Sequence, residues 1–289
     1  MAAAAAQTAR NATQRQLTEI LGTAGATQVR FLYGLPFALV FLMLVLWLTG
    51  EPLPAPDGAF MRFVVAGAVT QIMATALMLA AMRERSFSLV TAYTKTEPVQ
   101  VAVFGLAVLG DPLTLATAAA IAIATAGVVM TSLKSGAASA AAAGARPVLL
   151  GIVSGGFFAL AAISFRGATL ALASGSFLTR ATTTLAWGLA LQTALLIAWL
   201  VLFNRAALTG SFRHWRSSLA AGFLGALASQ FWFIGFALTS AANVRTLGLV
   251  EVPFAYGVSY VVFGHRATRR EVIGIALVVA GVALLLTVQ

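Results

Sequence analysis

The sequence contains no cysteine and only two histidines, His214 and His265. The first absence excludes disulfide frameworks, thiolate catalysis and cysteine-based metal sites. Both histidines fall in polar connectors, so neither a histidine metal cluster nor a Ser/His dyad can be assembled at membrane depth. Charge is also scarce. Asp, Glu, Lys and Arg together make up 9% of the chain, where a soluble domain carries about 25%. Acidic residues are the scarcer sign, 8 against 18 basic, for a formal net charge of +10. No GxxxxGK[ST] loop is present, which argues against ATP drive. The first residues do not combine a basic leader with an apolar core, so no cleavable signal is expected. No cofactor and no metal are expected.

What is abundant is apolar surface. Sixty per cent of the 289 residues are hydrophobic, more than a water-soluble fold of this size could hide. The arginines stand singly or in small groups between apolar runs. No basic stripe carries interleaved stacking aromatics, so nucleic-acid binding is not expected. A spanning helix needs about 20 mostly apolar residues. Nine runs meet that need: Phe31–Trp47, Phe63–Met82, Ser86–Gly110, Pro112–Leu133, Pro147–Ala173, Phe177–Phe203, Ser217–Thr239, Ala242–Gly264 and Val272–Val288. Met1–Leu17 is read as a tenth helix, with Gln7, Arg10, Asn11 and Gln14 at helical spacing on one face turned to a wet interior. The longest breaks are Gly50–Gly58, the Ala/Gly stretch Ser135–Arg146, and Asn204–Arg216.

The chain also matches itself. A shift of 154 places Glu97 on Glu251, Gly110 on Gly264, Thr114 on Thr268, Ile121 on Ile275 and Gly127 on Gly281. Pro98 and Pro253 fall within one residue of that register. Upstream the offset drifts, and the sequence pairs Arg30 with Arg180 and Arg10 with Arg166. Two related halves of five helices follow: residues 1–134 and 147–289, joined by a linker over 135–146, in one transmembrane domain. Five is odd, so the second half is expected upside down, an arrangement typical of secondary transporters. Arg10 has nine residues before it, against about twenty in the segment around Arg166, so the sequence is expected to begin part-way into helix one.

Ten helices, a five-plus-five repeat, and a proline-containing fourth helix followed by Gly110-Asp-Pro-Leu-Thr114 resemble the drug/metabolite transporter superfamily of EamA-like carriers. Within it, the chain looks most like the YddG-type aromatic amino-acid exporters. The resemblance implies an all-α, basket-shaped integral membrane protein with a central cavity and alternating access between the halves. It implies export of aromatic and other neutral amino acids across a bacterial-type inner membrane, by a multi-pass monomer that is not an enzyme. One departure concerns the loop between helices two and three, basic in many relatives. Here it holds Glu51 and Asp57 and no basic residue.

Charges inside a bilayer cost roughly 2.5–3.5 kcal/mol each on insertion scales, so they persist by pairing or by facing water. Arg10, Lys95, Glu97, Arg166 and Glu251 fall at expected membrane depth, with Arg245 and Arg180 nearer helix ends. Glu97 or Glu251 is expected to find Arg10 or Arg166. Such pairs either pin the halves or hold the charged ends of an amino-acid zwitterion; proton coupling through a carboxylate is a third reading. Tyr93, Glu97, Gln100 and Phe104 share one face of the fourth helix. Gln71 and Met78 on the third helix, Gln230, Trp232 and Phe233 on the eighth, and Tyr256 on the ninth complete the candidate cavity lining. Flat apolar surface suits a ring, and a few amides suit its head group. Pro98 and Pro253 are hinge candidates. Gly151-x-x-x-Gly155 is a close-packing signature for internal helix contacts.

Three alternatives remain. A carrier of anionic metabolites, such as phosphorylated sugars, would use Lys95, Arg10 and Arg166 as a clamp. A channel would need a filter sequence, and an intramembrane enzyme a catalytic set; neither is visible. The connectors carrying Arg83, Arg85, Lys134, Arg146, Arg205, Arg213, Arg216, Arg266, Arg269 and Arg270 share one side, which the positive-inside bias puts in the cytoplasm with both termini outside. Family habit puts the termini inside.

Overall fold

The computed structural model describes residues 2–84, 90, 93–132, 145–253, 256 and 268–288; within these, the side chains of residues 2–5, 7–16, 132 and 145 are outside the description. Every regular element among the described residues is helical. In chain order they are α1 (Ala2–Leu32), α2 (Leu35–Thr49), α3 (Gly58–Glu84), α4 (Glu97–Leu109), α5 (Leu115–Ser132), α6 (Ala145–Ala171), α7 (Phe177–Phe203), α8 (Arg205–Arg213), α9 (Trp215–Leu238), α10 (Ala241–Leu247) and α11 (Arg269–Thr287). A 3₁₀ turn, Gly248–Val250, follows α10. Six described segments are long and apolar enough to cross a membrane, and α4 and most of α5 are shorter apolar helices. The N-terminal stretch read as a tenth helix is helical and separate from α2; it forms the first part of α1, which runs on to Leu32. Its one break is Gly22, at φ 70° and ψ 176°, a backbone state that only glycine adopts readily.

Helix α8 lies inside what the sequence reading took as a connector. Asn204 caps it by accepting from the Ala207 amide at 3.2 Å. It packs on α1, where Gly25 and Gly210 leave room for Ala207 and Leu21. The links at the opposite face are also held by caps. Asp57 accepts the Phe60 amide at 2.7 Å and starts α3. Glu51 accepts the Ser176 amide and hydroxyl, at 2.9 Å each, and so ties the α2–α3 link to the start of α7. These three bonds account locally for the two acids in that loop.

Water cannot drive helices together inside lipid, so close packing must. The most extensive contacts are α3 with α6, α5 with α11, and α1 with α9. Helices α3 and α6 run antiparallel and exchange rings for glycines. Phe165 fills the space over Gly67, Phe63 that over Gly167, and the Ser154 hydroxyl donates to the Ala74 carbonyl at 2.8 Å. Between α5 and α11 the exchange is reciprocal. A Cβ on Gly127 would stand 2.6 Å from the Gly274 carbonyl and 2.7 Å from the Val278 nitrogen; one on Gly281 would meet Ala124 at 2.6 Å and Ala120 at 2.7 Å. Gly127 and Gly281 are 154 apart, and so are their partners, so each half gives the other the contact it receives. Helix α2 also meets α7, and α4 meets α10.

The structure revises the upstream register. Arg30 lies in the last turn of α1, whereas Arg180 lies in the first turn of α7, so they are not equivalent.

Candidate functional site: a charged, aromatic cavity

The link Gly110–Thr114 shows how sequence builds the site's floor. Gly110 takes a left-handed φ of 66° and ends α4, with the Asp111 amide donating to the Gly105 carbonyl at 3.1 Å. Thr114 caps α5 through the Thr117 amide at 3.1 Å. Thr268 caps α11 in the same way, with Glu271 completing a capping box. Between turn and cap, Asp111 is left pointing at Arg166. Two hydrogen bonds join them, Nε to Oδ2 at 3.2 Å and Nη2 to Oδ1 at 3.1 Å. Arg166 Nη1 also donates to the Phe236 carbonyl at 2.7 Å and to the Thr239 carbonyl. One guanidinium therefore fastens α6, the end of α9 and the α4–α5 link together.

Above this clasp is a void holding, with its mouth, about 620 Å³ of atom-free space. Rings line it: Phe158 and Phe165 from α6, Trp232, Phe233 and Phe236 from α9. Phe165 packs on Phe233 with centroids 4.8 Å apart, so the rings form a continuous wall. Gln71 and Met78 of α3 and Ser229 of α9 add soft and polar patches, and Arg30, Lys95, Glu97 and Arg245 bring charge.

Helices α4 and α10 and the turn before α4 supply most of that charge, because the chain is irregular there. The chain turns at Lys95–Thr96 before α4 begins, with Pro98 in the first turn. The second half changes pitch at Gly248–Val250, just before Glu251 and Pro253. Discontinuous helices at membrane depth commonly line binding cavities. Pro98 therefore starts a helix, where its missing amide costs nothing, rather than kinking one.

The ion pairs differ from those anticipated. Lys95 pairs with Glu251, and Glu97 Oε1 lies 3.0 Å from Arg245 Nε. Helix α4 and the turn before it face α10 and the turn after it, so these charges meet there instead of reaching Arg10 or Arg166. The Arg245 guanidinium lies over the Trp232 ring, 4.5 Å from its centroid, and 5.4 Å from that of Phe236. Arg245 lies near a helix end, as the sequence suggested, and the last turn of the short α10 brings it to the wall.

Of the cavity candidates, Gln71, Met78, Lys95, Glu97, Trp232 and Phe233 stand on the wall. Arg166 is held by the clasp below it. Tyr93 packs over Gly151, and Gln100 over Gly155 and Gly156, so that glycine notch seats α4 on α6. Gln230 donates to the Thr182 hydroxyl of α7 at 2.7 Å, turned away from the void. Glu251 stands behind Lys95, and Tyr256 donates to Glu271 at 3.0 Å and the Thr131 carbonyl at 3.2 Å. The side chains of Gln7, Arg10, Asn11 and Gln14 lie outside the described residues. Sequence reasoning did not place Arg30, Thr94, Phe158, Phe165, Ser229 or Arg245 on the wall; these needed the packing.

A solved structure titled "Crystal structure of protein" is similar in fold, with a TM-score of 0.67 at 16% identity over 99% of each chain. No curated protein matches the chain. The sequence profile of the EamA-like transporter family matches twice, over residues 11–133 and 146–287. The two matches fall on the two halves whose helices exchange contacts, and the chain is a multi-pass membrane protein belonging to the EamA-like transporter family.

Proposed function

We propose that this transporter carries aromatic and other neutral amino acids, exporting them across a bacterial inner membrane by alternating access. The reading takes residues 1–134 and 147–289 as two inverted five-helix halves, ten membrane helices in all, acting as a monomer. The observation that carries it is the cavity wall. Phe158, Phe165, Trp232, Phe233 and Phe236 offer flat apolar surface, and Glu97 and Arg245 stand beside them with opposite charges. An aromatic amino acid has that combination of ring, ammonium and carboxylate. Arg30 adds a second cation on the wall. The exposed arginines at positions 83, 146, 205, 213, 216, 269 and 270 favour that end of the bundle as cytoplasmic.

A second reading rests on a specific imbalance. Arg30, Lys95 and Arg245 line the void against Glu97 alone, which favours an anion such as a phosphorylated sugar. Uptake of labelled phenylalanine into liposomes containing the purified protein separates the two. Saturable uptake blocked by excess tryptophan and indifferent to sugar phosphate supports the amino-acid reading. Uptake of sugar phosphate with none of phenylalanine overturns it.

A further inference from the structure

Two arginine–carboxylate pairs join the halves near the cavity, and they differ in kind. Arg166 has four acceptors and sits in the clasp below the void. Arg245 has one carboxylate contact and is on the cavity wall. That contact is close, 3.0 Å, yet neither Arg245 Nε nor Glu97 Oε1 finds a hydrogen bond of acceptable geometry, although both atoms are buried. The guanidinium also stacks on aromatic rings, Trp232 on one side and Phe236 nearby. A carboxylate with two rings around a cation is a general receptor for any organic cation, not for guanidinium alone. The receptor is filled by a tethered side chain held by charge and ring stacking.

We propose that Arg245 is a resident cation in the substrate's ammonium subsite, and that the substrate's ammonium replaces it at Glu97 between Trp232 and Phe236. The proposal rests on the amino-acid reading and deepens it. Displaced, Arg245 needs a new anion, because an unpaired cation at membrane depth is costly. A zwitterion brings one: its carboxylate takes the guanidinium while its ammonium takes Glu97. A simple amine brings none and leaves Arg245 stranded. A simple carboxylate can approach the cations on the wall but leaves Glu97 with Arg245. The swap therefore selects substrates carrying both charges. It also replaces the direct Glu97–Arg245 contact between α4 and α10 with one that runs through the substrate.

The test is calorimetric titration of the protein in lipid nanodiscs with phenylalanine, 3-phenylpropionate and phenethylamine, which share the ring and differ in charge. Wild type is expected to bind phenylalanine at least about tenfold more tightly than either analogue, as befits loss of a charge-assisted contact. In E97Q the preference for phenylalanine over 3-phenylpropionate is expected to fall below about threefold. In R245Q phenethylamine is expected to gain about tenfold, since Glu97 no longer has a resident cation. The neutral double variant E97Q/R245Q guards against a single change that only unfolds the protein, and it should bind phenylalanine and 3-phenylpropionate within about threefold of each other. An undiminished phenylalanine preference in E97Q and in the double variant, or no gain for phenethylamine in R245Q, overturns the exchange and leaves the amino-acid reading standing. Wild type that binds none of the three overturns both.

Discussion

The clasp between Arg166 and Asp111 permits a quantitative test. Their side chains are 12% and 14% exposed, so both charges are largely out of water. Removing one partner of such a pair leaves an uncompensated charge and costs about 3–5 kcal/mol when burial is complete. The remaining exposure puts the expected loss for Asp111→Asn near the lower end, about 3 kcal/mol. Arg166→Met should cost a similar amount, because it strands the carboxylate and frees the Phe236 and Thr239 carbonyls. The double variant D111N/R166M removes both charges and should lose about 1–2 kcal/mol, mostly from those carbonyls. The coupling between the two sites is then several kcal/mol, far beyond the roughly 0.5 kcal/mol expected of independent positions. Reversible unfolding in mixed micelles, followed by tryptophan fluorescence, gives all three numbers. Single losses that simply add in the double variant would refute the clasp as a paired unit.

Gly248→Ala would place a Cβ 2.3 Å from the Trp232 ring, so the ring must move by more than 1 Å to about normal contact distance; binding of aromatic ligands should weaken with little change in helix content, checked by titration and circular dichroism. Gly127→Val pushes against backbone atoms of α11 at 2.6 and 2.7 Å, which cannot rotate aside, so its unfolding free energy should drop by more than the ~1–3 kcal/mol usual for overpacking. The Glu51 carboxyl is held below its usual range by hydrogen bonds from the Thr179 hydroxyl and the Ser176 amide. A depressed folded-state pKa makes this link's contribution present above the ordinary carboxylate pKa and lost as pH falls through the folded value. Glu51→Gln should therefore flatten the acid side of the thermal-stability profile, and an unchanged profile would count against the tie.

The helical class and the membrane setting were legible in composition, because 60% apolar content leaves few soluble solutions. The 154-residue shift was legible where helices carry glycine or a cap, as at Gly127, Gly281, Thr114 and Thr268, since those positions meet a backbone requirement that neighbours cannot substitute. It failed upstream, where Arg30 and Arg180 were matched by identity although one ends α1 and the other begins α7. Charge partners were illegible for a related reason. A helix wheel says that Lys95 and Glu97 diverge, but not which helix stands opposite; the pairing of α4 with α10 decides that Glu251 and Arg245 receive them. The short α8 escaped notice because an apolar run was the search signal, and its one clear mark was Asn204 as a cap.

The reciprocal crossing of α5 and α11 has a consequence for ancestry. Gly127 touches the backbone around Gly274 and Val278, and Gly281 touches that around Ala120 and Ala124. Two surfaces that trade identical positions in this way are what a twofold dimer of one shorter chain presents at its axis. Each half thus still carries a patch complementary to its own duplicate. The charges that tell the halves apart, Lys95 on one and Arg245 on the other, lie elsewhere, on the α4–α10 pair. Fusion into one polypeptide lets that pair diverge while the axis keeps its symmetry.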